Sequence, residues 1–350
     1  MKKRLAPDVF RIPVDEIKSG FYSDSYFLRT QEILTKDNHH PRVLMQVFQR
    51  QHAMLCGIDE AIAIIKKCAF NPEKLTIHAL HDGDMIEPWE TVMTIEGDLA
   101  DFAHLETVYL GVLSRQTKIA TNVHQAVKAA NGKPVLFFPS RFDHYSTQLS
   151  DGYAAHIGGI HGVSTPANGI YWHAPALGTI PHALIAAYGG DTVKATCAFD
   201  RHIDPAVHRV ALVDFNNDCV GTALAVAKEL GEKLWAVRLD TADNLVDQSV
   251  IPYMGTFKPT GVCPQLVFNV RKALDEAGFG HVRIMVSGGF TAERIAQFEA
   301  EKVPVDIYAV GSSLFNNNIN FTADIVMVDG RPCAKVGRSY RPNPRLELVE

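Results

Sequence analysis

The chain has 350 residues, 47% of them hydrophobic and 21% charged, an ordinary globular composition with enough length for one large core or two domains. Its formal net charge of −5 argues against a nucleic-acid surface as its main business, while leaving room for a local basic pocket. The six cysteines (Cys56, Cys68, Cys197, Cys219, Cys263, Cys333) form no C-x-x-C pair, which excludes a zinc knuckle or a thiol–disulfide motif and suits a reducing compartment.

The N-terminal run Met1–Asp8 opens with basic residues like a signal peptide, but Asp8 and Arg11 interrupt any apolar segment. No stretch is apolar over enough length to span a bilayer, so a cytoplasmic protein with no membrane partner is expected. Gly20–Arg29 mixes hydroxyls, Asp24, an arginine and aromatics. It reads either as a helix start capped by Ser23 or Asp24, or as an aromatic lid in which Tyr22 or Tyr26 stacks on a flat ligand. Val43–Gln49 and Leu75–Ala79 read as strands, Cys56–Lys67 as a helix, and Asp82–Gly97 as short strands punctuated by Gly83 and Pro88. Phe102–Ser114 and Gln116–Asn131 are expected as two helices. Residues 1–115 then form a small α+β domain, completed by 321–350, and residues 116–320 form the second domain.

In that second domain the stretch Pro134–Tyr145 reads as a buried strand ending in polar residues, with Arg141, Asp143 and His144 at its C-terminal end. Tyr153–Thr165 follows with small residues for close helix packing and glycines for a turn; His156 reads as an ordinary packed or surface histidine. Pro181 is expected at the first position of a helix, presenting His182 near its positive end. Four strand-length apolar runs come next: Arg209–Asp214, Leu234–Asp240, Val282–Ser287 and Val305–Val310. None alternates cleanly with polar residues, which suits strands covered on both faces in a parallel sheet. Helical spacing fills Asp218–Lys233, Gln265–Gly278 and Thr291–Phe298. Strand–helix repetition of this kind predicts an α/β fold, either an irregular β/α barrel or an open sheet. Polar groups cluster just past the strands, at Asp214, Arg238 with Asp240, Ser287-Gly288-Gly289 and Gly311-Ser312-Ser313. Two glycine turns in successive βα loops free backbone N–H groups to meet a phosphate, although structural glycines are common in such loops. Asp324–Val336 reads as a hairpin turning at Asp329-Gly330 that pairs back onto the N-terminal domain.

Together these stretches resemble the nicotinate phosphoribosyltransferase family and its relatives for nicotinamide and quinolinate. The anchors run from Asp24-Ser-Tyr26 through Gly83-Asp84, Ile95-Glu-Gly97, Leu105–Gly111, Ser140-Arg141 and Gly178-Thr-Ile-Pro-His182 to Val237–Thr241, Ser287–Gly289 and Gly311-Ser312. The resemblance implies an irregular β/α barrel with a smaller α+β domain, dimers that share active sites, and transfer of a phosphoribosyl group from 5-phosphoribosyl-1-pyrophosphate to a pyridine nitrogen. It implies Mg²⁺ with the pyrophosphate and admits ATP coupling through His182. Its implied catalytic residues are His182, Arg238 and Asp240. The implied substrate-binding residues are Tyr22, Asp24, Tyr26, Arg141, Ser164, Thr179, Asp214, Ser287, Gly288, Gly289, Gly311 and Ser312.

The sequence departs from the family where its usual Arg-Arg is Ser140-Arg141, and where His161 stands in place of a frequent aspartate. The chain is also short for the family and lacks a C-terminal cysteine cluster that some members carry. Ser164, where the nicotinamide-using relatives carry an aspartate, is expected to offer a hydroxyl donor to a carboxylate, with His161 as a second donor, which points to nicotinate. A serine that only caps the turn is the plainer alternative, as an internal salt bridge is for Arg238–Asp240. A lyase or isomerase barrel finds only Lys258 for a Schiff base, and no strand delivers it. A non-catalytic nucleotide sensor on the same fold remains a rival reading.

Overall fold

A computed structural model of the chain describes residues 3–255 and 257–350. Met1 and Lys2, which open the basic N-terminal run, lie outside them. The chain divides into two compact units, one of Met1–Thr121, Tyr153–Gly158 and Asn316–Glu350, the other of Asn122–Gly152 and Gly159–Phe315.

The first unit is built on a six-stranded antiparallel sheet. Its strand order is Arg331–Pro332, Thr322–Val328, Arg42–Phe48, Thr91–Asp98, Thr76–Ala79, Glu347–Leu348. The C-terminal hairpin does return to the N-terminal strands, Thr322–Val328 pairing with Arg42–Phe48. Its turn carries positive φ at both Asp329 (48°) and Gly330 (73°), which a two-residue hairpin loop with the right twist demands. Strand alternation delivers Val43, Met45, Val47, Ile77, Ala79, Met93 and Ile95 to one core, which the helix Ile58–Cys68 joins through Ala61, Ile62 and Ile65.

The second unit is a six-stranded, all-parallel sheet in the order Gly162–Val163, Val135–Phe137, Ile307–Val310, Arg283–Val286, Leu234–Leu239, Arg209–Leu212. A lone parallel bridge from Val163 to Ala176 extends one edge. The result is a curled half-barrel, the α/β architecture expected of the second half. Its strands are largely apolar because both faces are covered. Leu136, Val210, Ala236, Met285, Ile307 and Ala309 form one cluster. Val135, Phe137, Val237, Leu239, Ile284, Val286, Tyr308 and Val310 are buried on the alternate face.

Two local expectations need correction. The separate helices Phe102–Ser114 and Gln116–Asn131 are one 24-residue helix, Glu106–Ala129. The break expected at Arg115 does not occur, and Gly111, inside the helix, faces open space, where a side chain would meet nothing within 4 Å. Pro181 caps its helix from outside the first turn, so His182 is itself the first residue of His182–Ala187. With six residues that helix brings little dipole to the histidine. Among the described residues, no helix is long and apolar enough to cross a membrane.

Candidate active site

The face of the parallel sheet that carries the apolar cluster also builds the site. Counting in twos from Ala236 along its strand gives Arg238 and Asp240; from Met285, Ser287; from Ala309, Gly311; from Leu136, Phe138 and Ser140; from Val210, Leu212 and Asp214. Apolar side chains plug the floor, and the polar ones arrive at the C-terminal strand ends. There a cavity of about 620 Å³ opens, lined among others by Phe138, Ser140, Arg141, Ser164, His182, Arg238, Asp240, Ser287, Gly288, Gly289, Gly311 and Ser312. This is the end at which parallel β/α proteins hold ligands.

Arg238 is held by three partners. Its Nε donates to Ser287 Oγ at 2.9 Å, Nη1 to Thr179 Oγ1 at 3.0 Å and Nη2 to Asp240 Oδ2 at 2.9 Å. Ser287 donates in turn to Asp240 Oδ1 at 2.6 Å. The guanidinium lies over Phe138, 5.8 Å from the ring centre. Every charge in this set has a short partner, and the fork is fixed before any ligand arrives.

His182 is tied differently. Its Nε2 lies 2.9 and 3.1 Å from the two carboxylate oxygens of Asp214. The histidine side chain is 45% exposed and the aspartate only 8%. Loss of solvent pushes the Asp214 carboxyl above its ordinary range, Asp240 adds to the rise, and the hydrogen bond from His182 opposes it.

The two glycine loops differ in what makes them glycine. Gly288 and Gly289 have φ of 86° and 70°, a conformation side chains avoid. Gly311 has no such φ, but a Cβ there would come within 3.1 Å of the Phe142 ring. Arg294 stands behind the first loop, donating through Nη1 to the carbonyls of Gly288 (3.1 Å) and Gly289 (3.3 Å) and through Nη2 to that of Val262 (2.8 Å). With the carbonyls gathered there, the N–H groups of Gly288, Gly289 and Ser312 have no protein acceptor among the described residues. Ser313 Oγ ties the loops together by donating to the Phe290 carbonyl at 2.6 Å. Beyond the first loop, Thr291 caps the helix Ala292–Ala300.

On the opposite wall, Ser164 Oγ is 3.2 Å from Ser140 Oγ, and Ser140 donates to Asn168 Oδ1 at 2.7 Å. Arg141 lies over the Phe142 ring at 5.2 Å. His161 is not at the cavity: its Nδ1 faces the N–H of Val135, at the start of that strand and so away from the C-terminal strand ends. The expected second donor is therefore missing from this wall.

One cavity thus brings together Arg141, Ser164, His182, Arg238, Asp240, Ser287, Gly288, Gly289, Gly311 and Ser312, with Thr179 and Asp214 directly behind Arg238 and His182. Tyr22, Asp24 and Tyr26 belong to the other unit and are not among its lining residues. Tyr22 and Tyr26 are exposed there at 47% and 58%. Asp24 accepts from Thr107 Oγ1 at 2.8 Å at the start of the helix Ser25–Lys36, without capping it by its side chain. Sequence reasoning overlooked Arg294 and Asn168. For Arg294 the available signal was an arginine three residues past a capping threonine, directly after the glycine turn.

A solved structure of nicotinate-nucleotide pyrophosphorylase from Pyrococcus furiosus is 36% identical and superposes with a TM-score of 0.82, covering all of this chain and 86% of that one. The chain belongs to the type II phosphoribosyltransferase family. The family model for the N-terminal domain of quinolinate phosphoribosyl transferase matches residues 24–117. A nicotinate phosphoribosyltransferase of Mycobacterium tuberculosis is 32% identical over 272 residues, 75% of this chain and 56% of that protein. One from Bacillus subtilis is 23% identical over 329 residues, 84% of this chain and 63% of that protein. The chain therefore spans less than two thirds of the length of these curated relatives. The human nicotinic acid phosphoribosyltransferase shares the phosphoribosyltransferase fold at 16% identity and a TM-score of 0.64.

Proposed function

We propose that the chain is a nicotinate phosphoribosyltransferase, joining nicotinate to 5-phosphoribosyl-1-pyrophosphate to give nicotinate mononucleotide and pyrophosphate. The observation that carries the reading is the convergence of a locked Arg238–Asp240–Ser287 set and two glycine loops on one cavity at the strand ends. The names of the Mycobacterium and Bacillus relatives support the choice of base.

The free N–H groups of Gly288, Gly289 and Ser312 take the 5-phosphate. Arg238, already oriented, meets the base or its carboxylate without reorganisation, and Asp240 faces the ribosyl hydroxyls, with Asp214 behind His182. The reaction breaks the bond from C1 to pyrophosphate as the pyridine nitrogen forms its own, so positive charge grows on the sugar and negative charge on the leaving group. Among the described residues, no three His, Cys, Asp or Glu side chains converge to hold a metal by themselves. Mg²⁺ does not need them, since one or two carboxylates with substrate phosphates suffice. Asp240, which lines the cavity, and Asp214, behind His182, are the carboxylates that would hold it. Mg²⁺ held there would neutralise charge on the departing pyrophosphate. Small molecules are thus the partners, and ATP coupling through His182 belongs to the same proposal.

The quinolinate reading has one observation in its favour, the family model over residues 24–117. Product analysis with phosphoribosyl pyrophosphate and a panel of bases decides. Preference for nicotinate is expected. Preference for nicotinamide, carbon dioxide from quinolinate, or no product with any base each replaces it, the last favouring a nucleotide sensor.

A homodimer with shared sites completes the proposal, because Tyr22 and Tyr26 are exposed on the unit that does not line the cavity. Mixing Tyr26→Ala with His182→Ala protein is expected to restore activity in heterodimers. Heterodimers that form and stay inactive reject sharing.

A further inference from the structure

Asn168 is 1% exposed, and its neighbours leave its side-chain amide only one way round. One end lies 2.7 Å from the backbone carbonyl oxygen of Gln148, which can only accept, so that end is the NH₂. The amide oxygen therefore faces Ser140 Oγ at 2.7 Å and Thr165 Oγ1 at 2.8 Å, and both hydroxyls must donate to it. Gln148 Oε1 or its NH₂ can turn to suit the remaining valence of Thr165, 3.0 Å away. The arrangement is built in. Trp172 Nε1 holds the Asn168 carbonyl at 2.8 Å, and Gly152 lies so close that a Cβ there would collide with the Asn168 backbone.

A serine hydroxyl carries one proton. Ser140 has committed its proton to Asn168, so across the 3.2 Å between Ser140 and Ser164 the donor is Ser164. Both serines line the cavity, and what they have left for a ligand is lone pairs.

We infer that Asn168 fixes the Ser140–Ser164 pair as hydrogen-bond acceptors, making this wall of the cavity a site for a neutral donor on the substrate, a sugar hydroxyl or a carboxamide NH₂, and a poor one for a carboxylate. A carboxylate at Ser164 has to draw the proton away from Ser140, exchanging one hydrogen bond for another. An incoming donor keeps both. The base carboxylate is then met by a guanidinium, Arg238 or Arg141, and Ser164 does not serve as its donor. Asn168 touches no substrate in this scheme; it is a positioning residue acting through Ser140. The identity of the donor-bearing substrate rests on the phosphoribosyltransferase reading, whereas the proton arrangement does not.

The test has two arms. In the first, neutron diffraction of the deuterium-exchanged wild-type protein locates the hydroxyl deuterium between the two serines. Deuterium on Ser164 directed at Ser140 upholds the inference even if no pyridine base is turned over, which would sink only the enzymatic reading. Deuterium on Ser140 directed at Ser164 overturns it. In the second arm, kcat and KM are measured for phosphoribosyl pyrophosphate, nicotinate and nicotinamide in Ser164→Ala and Asn168→Ala. Ser164→Ala is expected to raise KM about five- to tenfold for one substrate, with kcat within about twofold. That substrate is the phosphoribosyl donor if the group is a sugar hydroxyl, and nicotinamide if it is a carboxamide. Asn168→Ala shifts the same KM in the same direction; if it does not fold, Ser164→Ala and the neutron map still decide. A rise confined to nicotinate, or no change in any KM for folded Ser164→Ala, overturns the inference.

Discussion

Asp82 in the antiparallel unit and Asp214 in the parallel one are pushed the same way by loss of solvent, yet they sit in opposite company. Asp82 accepts from the N–H of Ile58 at 2.9 Å, at the start of the helix Ile58–Cys68, and from the Tyr153 hydroxyl at 2.8 Å. Its surroundings raise it to about 7, burial first and the neighbouring Asp59 second. Every partner is a fixed part of the fold. Asp214 is raised by burial too, but its partner is His182, which faces the cavity and is nearly half exposed. A perturbed carboxyl therefore does not by itself mark a site for chemistry. What separates the two is whether the group on the other side of the hydrogen bond can reach a ligand. Glu106, also lifted to about 7 by burial with Asp324 and Asp24 nearby, lies in the antiparallel unit as Asp82 does.

The largest effect that can break this comparison is at Arg238. Arg238→Ala removes the cation from Asp240 and three hydrogen bonds from a nearly closed set, leaving a carboxylate without its partner. kcat/KM for phosphoribosyl transfer is expected to fall by roughly 10²- to 10³-fold, with thermal stability lowered much less. Equal losses of activity and stability would place Arg238 with Asp82 as a structural group.

A smaller effect is expected at Gly289. With φ at 70° the position is strained for any side chain, and a β-branched residue is the worst case. Gly289→Val should raise KM for the phosphoribosyl donor by about tenfold to a hundredfold, because the loop must turn its N–H groups away from the phosphate. Unchanged donor kinetics in folded protein would detach the loop from phosphate binding.

How much of this was legible in the sequence depends on distance along the chain. Strand ends and glycine turns could be read because burial on both faces leaves a local signature, as in Leu234–Leu239 and Ile307–Val310. The parity that brings Arg238 and Asp240 to one face is local as well. The continuity of the helix Glu106–Ala129 was not read, although no glycine or proline stands at Arg115, where the two expected helices were divided. The direction of the Ser164 proton was hidden for another reason: it is set by the Gln148 carbonyl, 20 residues from Asn168, and no residue type announces a carbonyl. Arg294 was missed similarly, because its partners are backbone oxygens.

His182 sharpens the comparison from the other side. Removing it leaves Asp214 unpaired but costs the fold little, because the histidine is nearly half exposed. His182→Ala is expected to lower kcat about tenfold or more. If ATP is coupled, γ-labelled ATP should leave an acid-labile phosphoryl group on the parent and none on the variant. Full activity in the variant, or stable label on another residue, would return the His182–Asp214 pair to the structural class.

The smallest effect on activity, and the most telling one, is expected at Asp82. An asparagine presents to Ile58 and Tyr153 what the protonated aspartic acid presents, an acceptor oxygen toward the N–H and a donor toward the hydroxyl. It never carries charge. Because the folded value of Asp82 lies above the ordinary carboxylate range, its favourable contribution is full below about pH 4 and is lost as pH rises through about 7. Asp82→Asn should therefore match the parent in Tm near pH 4 and exceed it increasingly toward pH 8, with kcat/KM within about twofold throughout. Asp59, whose charge adds to the rise, is unchanged in the variant, so only Asp82 differs between the two proteins. A Tm gap that stays flat with pH would mean Asp82 is ionised in the folded protein at little cost. A large fall in kcat/KM without a fall in stability would mean the carboxyl acts in the chemistry, and the division between the two aspartates would be gone.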